Sequence, residues 1–254
     1  MVYLKKNNSK NISISVVSHN NYIELNNLLN QLDNYSEFIY EIIVTQNVPE
    51  KKIDITKFYN HISLIFNSKK KGFGENHNYA FKKSNGKFFC ILNPDIYINE
   101  NVFSELEKFC NKKKNSIVSP LILGDKFTKD IFHKNDLNLK NLISRYIFKN
   151  EKYKTIQTNK NEEVTSWLGG MFLFCDSNIF KKLNGFDEKF FLYCEDVDLC
   201  LRARKTGIES FILPSLKVHH KGKRISHQKI KYFLIHLKSL FRFALKHHLY
   251  FFRI

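Results

Sequence analysis

Apolar positions in the first hundred residues fall into short blocks that switch between two periods. Residues 12–18 (ISISVVS), 41–45 (EIIVT), 62–66 (ISLIF) and 87–92 (KFFCIL) are compact β-branched or aromatic runs, as buried strands are. After the first run, residues 22–32 place Ile23, Leu25, Leu28, Leu29 and Leu32 close to helical spacing. Residues 76–83 read as a second helix, stopped by Asn85-Gly86 and preceded by a basic loop at 69–74 (KKKGFG). A third helix at 102–110 carries Val102, Phe103, Leu106 and Phe109 on one side, and 117–123 is a fifth strand. Strands and helices alternating in this order predict an α/β fold with a mostly parallel central sheet flanked by helices.

Residues 124–163 are polar, rich in Lys and Asn, and weakly periodic. They read as a variable loop region with one short helix near 139–148. The pattern resumes at 164–174 (VTSWLGGMFLF), read as one buried strand in which Gly169 and Gly170 permit close backbone approach. Helices at 177–183 and 196–205 follow, the second ended by Gly207, and then short strands at 210–213 and 216–219. The tail, 227–254, is helical in pattern. Lys231, Lys238, Arg242 and Lys246 share one face, while Phe233, Leu237, Leu240, Phe241, Ala244 and Leu245 cover much of the rest.

Composition narrows the classes. The chain has 254 residues, 43% hydrophobic and 26% charged, which excludes a disordered chain and a polytopic membrane protein. No run of about 18 uncharged apolar residues occurs, so no spanning helix is expected. The opening MVYLKKNNSKN lacks the apolar run of a secretion signal. Five cysteines without a CxxC pair fit free thiols in a reducing compartment, so the expected location is the cytoplasm. A net charge of +17 points to an anionic partner: a nucleotide-linked donor, an acidic membrane surface or nucleic acid. The basic residues are dispersed and no nucleic-acid-binding motif occurs, so nucleic acid is not the expected partner. A basic nucleic-acid- or saccharide-binding protein without catalysis stands as the alternative to an enzyme. Nothing in the sequence sets the oligomeric state.

In sheets of this kind ligands bind at the carboxyl ends of the strands. Those ends carry His19-Asn20-Asn21, Gln46-Asn47 and Asn93-Pro94-Asp95. Asp95 suits a Mg²⁺ or Mn²⁺ ion that also binds a diphosphate; it equally suits a turn residue capping the next helix. Gly72, Phe73 and Gly74, with three lysines, can bring backbone N–H groups to a nucleotide, although a lone GxG is weak. The densest chemistry is residues 185–207 (GFDEKFFLYCEDVDLCLRARKTG). It sets Asp187, Glu188, Glu195, Asp196 and Asp198 among Phe186, Phe190, Phe191, Leu192 and Tyr193. Carboxylates among aromatics are costly to bury unless paired, hydrogen-bonded or bound to a ligand. Glu195-Asp196 can supply a base, or can simply open the helix at 196–205, where the macrodipole favours acids. Asp198 suits that structural part and can pair with Arg202 across one turn. His219-His220 can be structural, touch a phosphate or ligate a metal. Trp167 is either a core residue or a platform under a sugar ring.

Taken in order, ISVVSHN, IIVTQN, KGFGENHNYAFKKSNGKFFCILNPDI, WLGGMFLF, the 185–207 segment and VHHKGKRIS resemble the family 2 glycosyltransferases of the GT-A fold, particularly the bacterial rhamnosyltransferase-like branch. The resemblance covers roughly residues 12–226. It implies a GT-A catalytic domain at 1–226, with a nucleotide-binding half at about 12–123 and an acceptor half at about 164–226, followed by a basic amphipathic helical tail at 227–254. The implied activity is metal-dependent inverting transfer of a sugar from a nucleotide-diphosphate donor, dTDP-rhamnose-like or a UDP-sugar. The acceptor would be a hydroxyl of a growing bacterial surface glycan, lipid-linked or oligosaccharide.

Residue by residue, the resemblance implies Asp196 as the general base and Glu195 as its orienting or acceptor-holding partner. Asp95 falls on the last acid of a DxD-like metal motif, with Asn93 in the first acid's place, and His219 on a metal or diphosphate contact. Ser18, Asn20 and Gln46 fall where the base and ribose are cradled. Gly72 and Phe73 are expected on the donor side, and Trp167, Gly169, Gly170 and Tyr193 on the acceptor side. One departure stands out: the family's usual acid after the second strand is Gln46 here, which hydrogen-bonds without charge. The tail has two readings. It lies on an anionic membrane surface, at the cytoplasmic face of the inner membrane, or it docks its apolar face on the domain.

Overall fold

A computed structural model describes residues 10–51, 53–58, 61–124, 161–221 and 230–248. The helix expected at 139–148 and the first residues of the tail lie outside the described residues.

One sheet runs through both halves of the chain, in the order β3-β2-β1-β4-β8-β6-β9-β5, with β7 added to β9. Strands β1 (Ile12–Ser18), β2 (Ile39–Gln46), β3 (Ile62–Phe66) and β4 (Phe88–Leu92) are mutually parallel. Each crossover between them is long enough for a helix or loop to return across the sheet, as parallel pairing requires. Helices α1 (Tyr22–Asp33) and α2 (Phe73–Phe81) occupy two of these crossovers. The second half joins through β8 (Phe172–Asp176), antiparallel to both β4 and β6 (Ser116–Gly124). The last long strand, β9 (Glu209–His220), is parallel to β6.

The near-continuous apolar runs are explained by burial on both faces. In β4, Phe88, Cys90 and Leu92 join the cluster that holds Leu25, Leu28, Leu29 and Leu32 of α1. Phe89 and Ile91 point the other way, into a cluster with Phe180, Leu183 and Phe186. Alternate side chains therefore serve two cores, one on each side of the sheet. All five cysteines are free and buried, as expected of thiols used for packing.

Four differences from the sequence reading position the site. The run 164–174 is two strands, β7 (Glu163–Thr165) and β8, because Gly169 and Gly170 lie in the turn between them. The two short strands at 210–213 and 216–219 are one, β9, carrying an irregularity: Pro120 pairs with Leu213 but Leu121 pairs with Lys217. A two-residue strand, β5 (Ile96–Tyr97), follows Asp95 and pairs with β9, Ile96 against His220. Helix α2 starts at Phe73, so the glycine-containing loop ends as the helix N-terminus. The remaining helices are α3 (Phe103–Lys112), α4 (Ser177–Lys182), α5 (Glu195–Lys205) and α6 (Ile230–Lys246).

Candidate active site

The carboxyl ends of β1, β2 and β3 form one edge, and a chain of side-chain amides ties them together. Asn47 donates its backbone N–H to the Ser18 carbonyl (2.9 Å) and its side-chain amide to the Lys71 carbonyl (2.9 Å). Asn67 donates to the side chains of Asn47 (2.9 Å) and Asn76 (2.7 Å). Asn20 has φ of 61°, a left-handed conformation that Asn tolerates better than most residues, and it turns the chain sharply after β1. The Ser18 hydroxyl donates to Glu50 Oε2 (2.8 Å), and the Asn21 N–H donates to the same oxygen (3.2 Å). Gln46 is buried and donates its amide to the Lys51 carbonyl (3.1 Å). Two of the three residues expected to cradle the nucleotide therefore engage the 47–51 loop. Glu50 is the residue the sequence reading missed. Its Oε1 is buried without a hydrogen-bond partner among the described residues.

Phe73 does not offer a free backbone donor to a nucleotide, and Gly72 is closely covered by the same loop. The Phe73 N–H donates to the Phe191 carbonyl (2.9 Å), and a Cβ on Gly72 would lie 2.9 Å from that same oxygen. Gly74 is equally closed, because a Cβ there would meet Phe186 Cβ at 2.6 Å. These glycines let the 186–191 loop lie flat on the start of α2. Asn78, one turn further along α2, holds the same loop through reciprocal bonds: its amide donates to the Phe186 carbonyl and its Oδ1 accepts the Phe186 N–H, both at 2.9 Å. The Asn78 amide also donates to Glu188 Oε1 (3.0 Å).

The loop then turns into α5 through two consecutive non-glycine residues with positive φ, Tyr193 (73°) and Cys194 (68°). Such conformations cost roughly 1–3 kcal/mol each and persist only where the surroundings hold them. The turn delivers Glu195 and Asp196 as the first two residues of α5. Glu195 is buried, with Oε2 lacking a hydrogen-bond partner among the described residues. Burial, reinforced by the neighbouring Asp196 charge, raises its pKa well above the ordinary 4.5 and so favours the neutral acid. Asp196 is only half-buried. Its Oδ2 accepts the Gly170 N–H (3.0 Å) and its Oδ1 accepts the Val197 N–H (2.8 Å). Two adjacent carboxyl groups in such unlike environments are the kind of pair whose pKa values are pushed apart.

Gly170 also links this pair to the metal-side turn. The next residue, Met171, accepts the Asn93 N–H at 2.9 Å. Asn93, Met171, Gly170 and Asp196 thus form a short continuous path across the site. A Cβ on Gly170 would sit 3.1 Å from the Phe73 ring and 3.6 Å from Asp196 Cβ, so the approach is built for glycine. Gly169 faces only the flexible end of Met171. Trp167 is half-buried and packs between the core cluster of Leu168 and that of Phe190, which makes it a packing residue rather than an open platform. Tyr193 turns its ring toward His236 of α6, centroids 4.9 Å apart, and away from the role of an acceptor contact.

Beside Asp95 the structure sets His220, with Nε2 3.2 Å from Oδ1, where the sequence reading expected His219. Successive side chains of a strand point to opposite faces, and the β5–β9 pairing selects the second histidine. A carboxylate with an adjacent imidazole suits a divalent cation whose remaining positions go to phosphate oxygens. Among the described residues, no group of three His, Cys, Asp or Glu side chains converges as a self-sufficient metal site.

Asp198 is fully buried and holds the site together. Arg202 donates from Nε to its Oδ2 (2.8 Å), as the one-turn spacing predicts, and also caps the Leu183 and Gly185 carbonyls. Lys246 Nζ (2.6 Å) and His247 Nε2 (2.8 Å) of the tail meet Oδ1. Burial alone would raise the Asp198 pKa, but the bonds from His247, Lys246 and Arg202 prevail and hold it down to about 2. Lys246 reaches Asp187 as well (2.7 Å), and Ser239 donates to the Leu192 carbonyl (2.7 Å).

A parallel half, joined in one sheet to a half that brings a carboxylate pair to its edge, is the architecture of a GT-A sugar transferase. Solved structures agree on the fold. Mannosyltransferase PcManGT from Pyrobaculum calidifontis, in complex with GDP-Man and Mn²⁺, matches with a TM-score of 0.64 at 13% identity, over 93% of this chain and 64% of that one. S. aureus TarS in complex with UDP matches at 0.63 and 14% identity, over 90% and 65%. The model of glycosyl transferase family 2 matches residues 13–182, and the chain belongs to that family. It is 26% identical to rhamnosyltransferase WbbL of Escherichia coli over 91% of this chain and 92% of WbbL. It is 34% identical to the N-acetylglucosaminyl-diphospho-decaprenol L-rhamnosyltransferase of Mycobacterium tuberculosis over 38% of this chain and 32% of that protein. These relatives set it in the rhamnosyltransferase-like branch.

Two stability experiments follow from the carboxylates. Glu195 has a raised folded pKa, so the stability it contributes is complete below 4.5 and is lost as pH rises. Glu195→Gln should match wild type at about pH 4 and melt higher than wild type at about pH 8 in a pH series of thermal melts. Asp198 is the opposite case: its contribution is present above its ordinary 3.8 and fades only as pH falls toward about 2. Asp198→Ala strands three cationic or polar partners around an apolar gap. Denaturant titration at neutral pH should show a loss of about 3–5 kcal/mol.

Proposed function

We propose that the protein is an inverting, metal-dependent hexosyltransferase. It would take rhamnose or a similar sugar from a dTDP- or UDP-linked donor to a hydroxyl of a bacterial surface glycan. The acceptor is lipid-linked or an oligosaccharide and is met at the cytoplasmic face of the inner membrane. One observation carries the reading: Asp196, half-exposed beside the neutral Glu195, is joined through Gly170 and Met171 to the turn that bears Asp95. That WbbL and the mycobacterial relative are rhamnosyltransferases supports the choice of sugar, and the diphospho-decaprenol acceptor of the latter supports the acceptor class.

In this mechanism the acceptor hydroxyl gives its proton to the Asp196 carboxylate as its oxygen attacks the anomeric carbon. The bond from that carbon to the diphosphate breaks on the opposite face, its electron pair leaves with the diphosphate, and configuration inverts. The Gly170 N–H holds Asp196 in place for this step. Asp95, with His220 beside it, would hold Mg²⁺ or Mn²⁺, which when bound supplies positive charge against the leaving diphosphate. On the donor side, Glu50 Oε1 supplies a carboxylate acceptor for a base N–H or ribose hydroxyl, in place of the acid that Gln46 replaces.

Asp196→Asn should lose at least about 10²-fold in kcat while binding donor as wild type does, as read by turnover and by donor calorimetry in parallel. Near-normal turnover would remove Asp196 from the base role. Glu50→Gln should weaken UDP or dTDP binding by about tenfold or more, the worth of a hydrogen bond to a charged group, with kcat at saturating donor little changed. Unaltered nucleotide affinity would reduce Glu50 to a brace for Ser18.

A further inference from the structure

Helix α6 docks on the domain, yet the face it docks is not its most apolar one. The inward side presents Ser239, Leu240, Phe243 and His247, all buried. Leu240 and Phe243 share a cluster with Phe190, Val197 and Leu201 of the catalytic loop and α5. On the other side, Ile230, Leu234, Leu237, Phe241 and Leu245 follow one another at spacings of four, three, four and four. They fall within an arc of about 80° on a helical wheel. Their exposures are 80%, 59%, 44%, 68% and 66%. Large aliphatic and aromatic side chains in a continuous exposed stripe mark an interaction surface.

Charge selects the partner. Lys231 and Lys238 border the stripe on one flank and are exposed. At the same end, Lys231 lies close enough to His19 and Lys70 for its charge to disfavour theirs, and Lys70 is within 3.2 Å of His19 Nε2. That corner is relieved when an anion lies over it. An apolar stripe flanked by lysines is the surface that enters the headgroup region of an anionic bilayer. Among the described residues, no helix is long and apolar enough to cross a membrane, so this helix would lie on the surface.

We propose that the outward stripe of α6 docks on an anionic lipid surface while its inward side holds the loop leading into Glu195-Asp196. The helix is then a bridge. Ser239 bonds Leu192, His236 packs its ring at a tilt against Tyr193, and Lys246 and His247 bind Asp198, so the surface that receives the bilayer is fixed to the turn that presents the base. A lipid-linked acceptor would be met next to its membrane. That consequence rests on the transferase reading; the docking itself does not.

The test is flotation of the full chain with vesicles of phosphatidylcholine alone or with added phosphatidylglycerol, alongside turnover on a water-soluble acceptor. Wild type should bind the anionic vesicles roughly tenfold or more tightly than the neutral ones. Combined Leu234→Gln, Phe241→Gln and Leu245→Gln should abolish flotation, leaving the melting temperature and soluble-acceptor turnover at wild-type values. Combined Lys231→Gln and Lys238→Gln should remove the preference for anionic lipid. Equal flotation of the stripe variant and wild type overturns the proposal. So does a lipid-free dimer, by light scattering, that the stripe variant dissolves. Vesicle binding without any turnover would sink the transferase reading and leave the docking intact.

Discussion

The buried Asp198 carboxylate is the constraint on which the site depends. It lies inside α5, is wholly shielded from water, and is compensated from two directions. Arg202 comes from its own helix and carries the 183–185 turn with it. Lys246 and His247 come from the tail. A buried ion pair is not in itself a strong source of stability, since desolvation offsets much of the attraction. Its value here is specificity of position. With Asp198 charged and enclosed, neither the tail nor the turn before α5 can shift without exposing an uncompensated ion.

That rigidity matters because the segment it anchors is strained. Tyr193 and Cys194 both sit in the left-handed region, where a side chain is disfavoured. The loop before them is held by Asn78 at Phe186, by the Phe73 N–H at Phe191 and by Ser239 at Leu192. Two helices, α2 and α6, therefore fix one short loop at three points. The consequence is chemical: Glu195 is driven into an apolar, buried place, and Asp196 is left at the edge with two backbone donors. The same backbone turn that costs conformational energy separates the two carboxyl groups into unlike environments, one enclosed and one at the edge.

The strands that were legible, such as β1, β2 and β4, are buried on both faces and so read as compact, mostly apolar runs. Ile12–Ser18 and Ile62–Phe66 agree with the sequence reading to the residue. The i,i+4 spacing of Asp198 and Arg202 was equally readable. What escaped was set by tertiary contact. A two-residue strand such as Ile96–Tyr97 has no periodicity to detect, yet it decides which histidine meets Asp95. Gly72 and Gly74 looked like a phosphate loop, but a glycine required for close approach is the same letter whether the visitor is a ligand or, as here, another backbone. The tail reads as amphipathic, while the partition of its apolar residues into an inward and an outward set depends on where Asp198 takes hold of it.

The donor edge shows the same limit from another angle. Position-by-position comparison finds a neutral Gln46 where the resemblance leads one to expect an acid. The structure nonetheless puts a carboxylate at that edge. Gln46 binds the Lys51 carbonyl, which folds the 47–51 loop back toward β1, and the fold-back carries Glu50 to Ser18 and the start of α1. An acid four residues late in sequence can arrive at the same edge because a loop has reach that a strand does not. Which residue is charged is therefore a poorer guide to this site than which backbone groups the neighbouring amides hold, and the orphaned Glu50 oxygen follows from that geometry rather than from any motif.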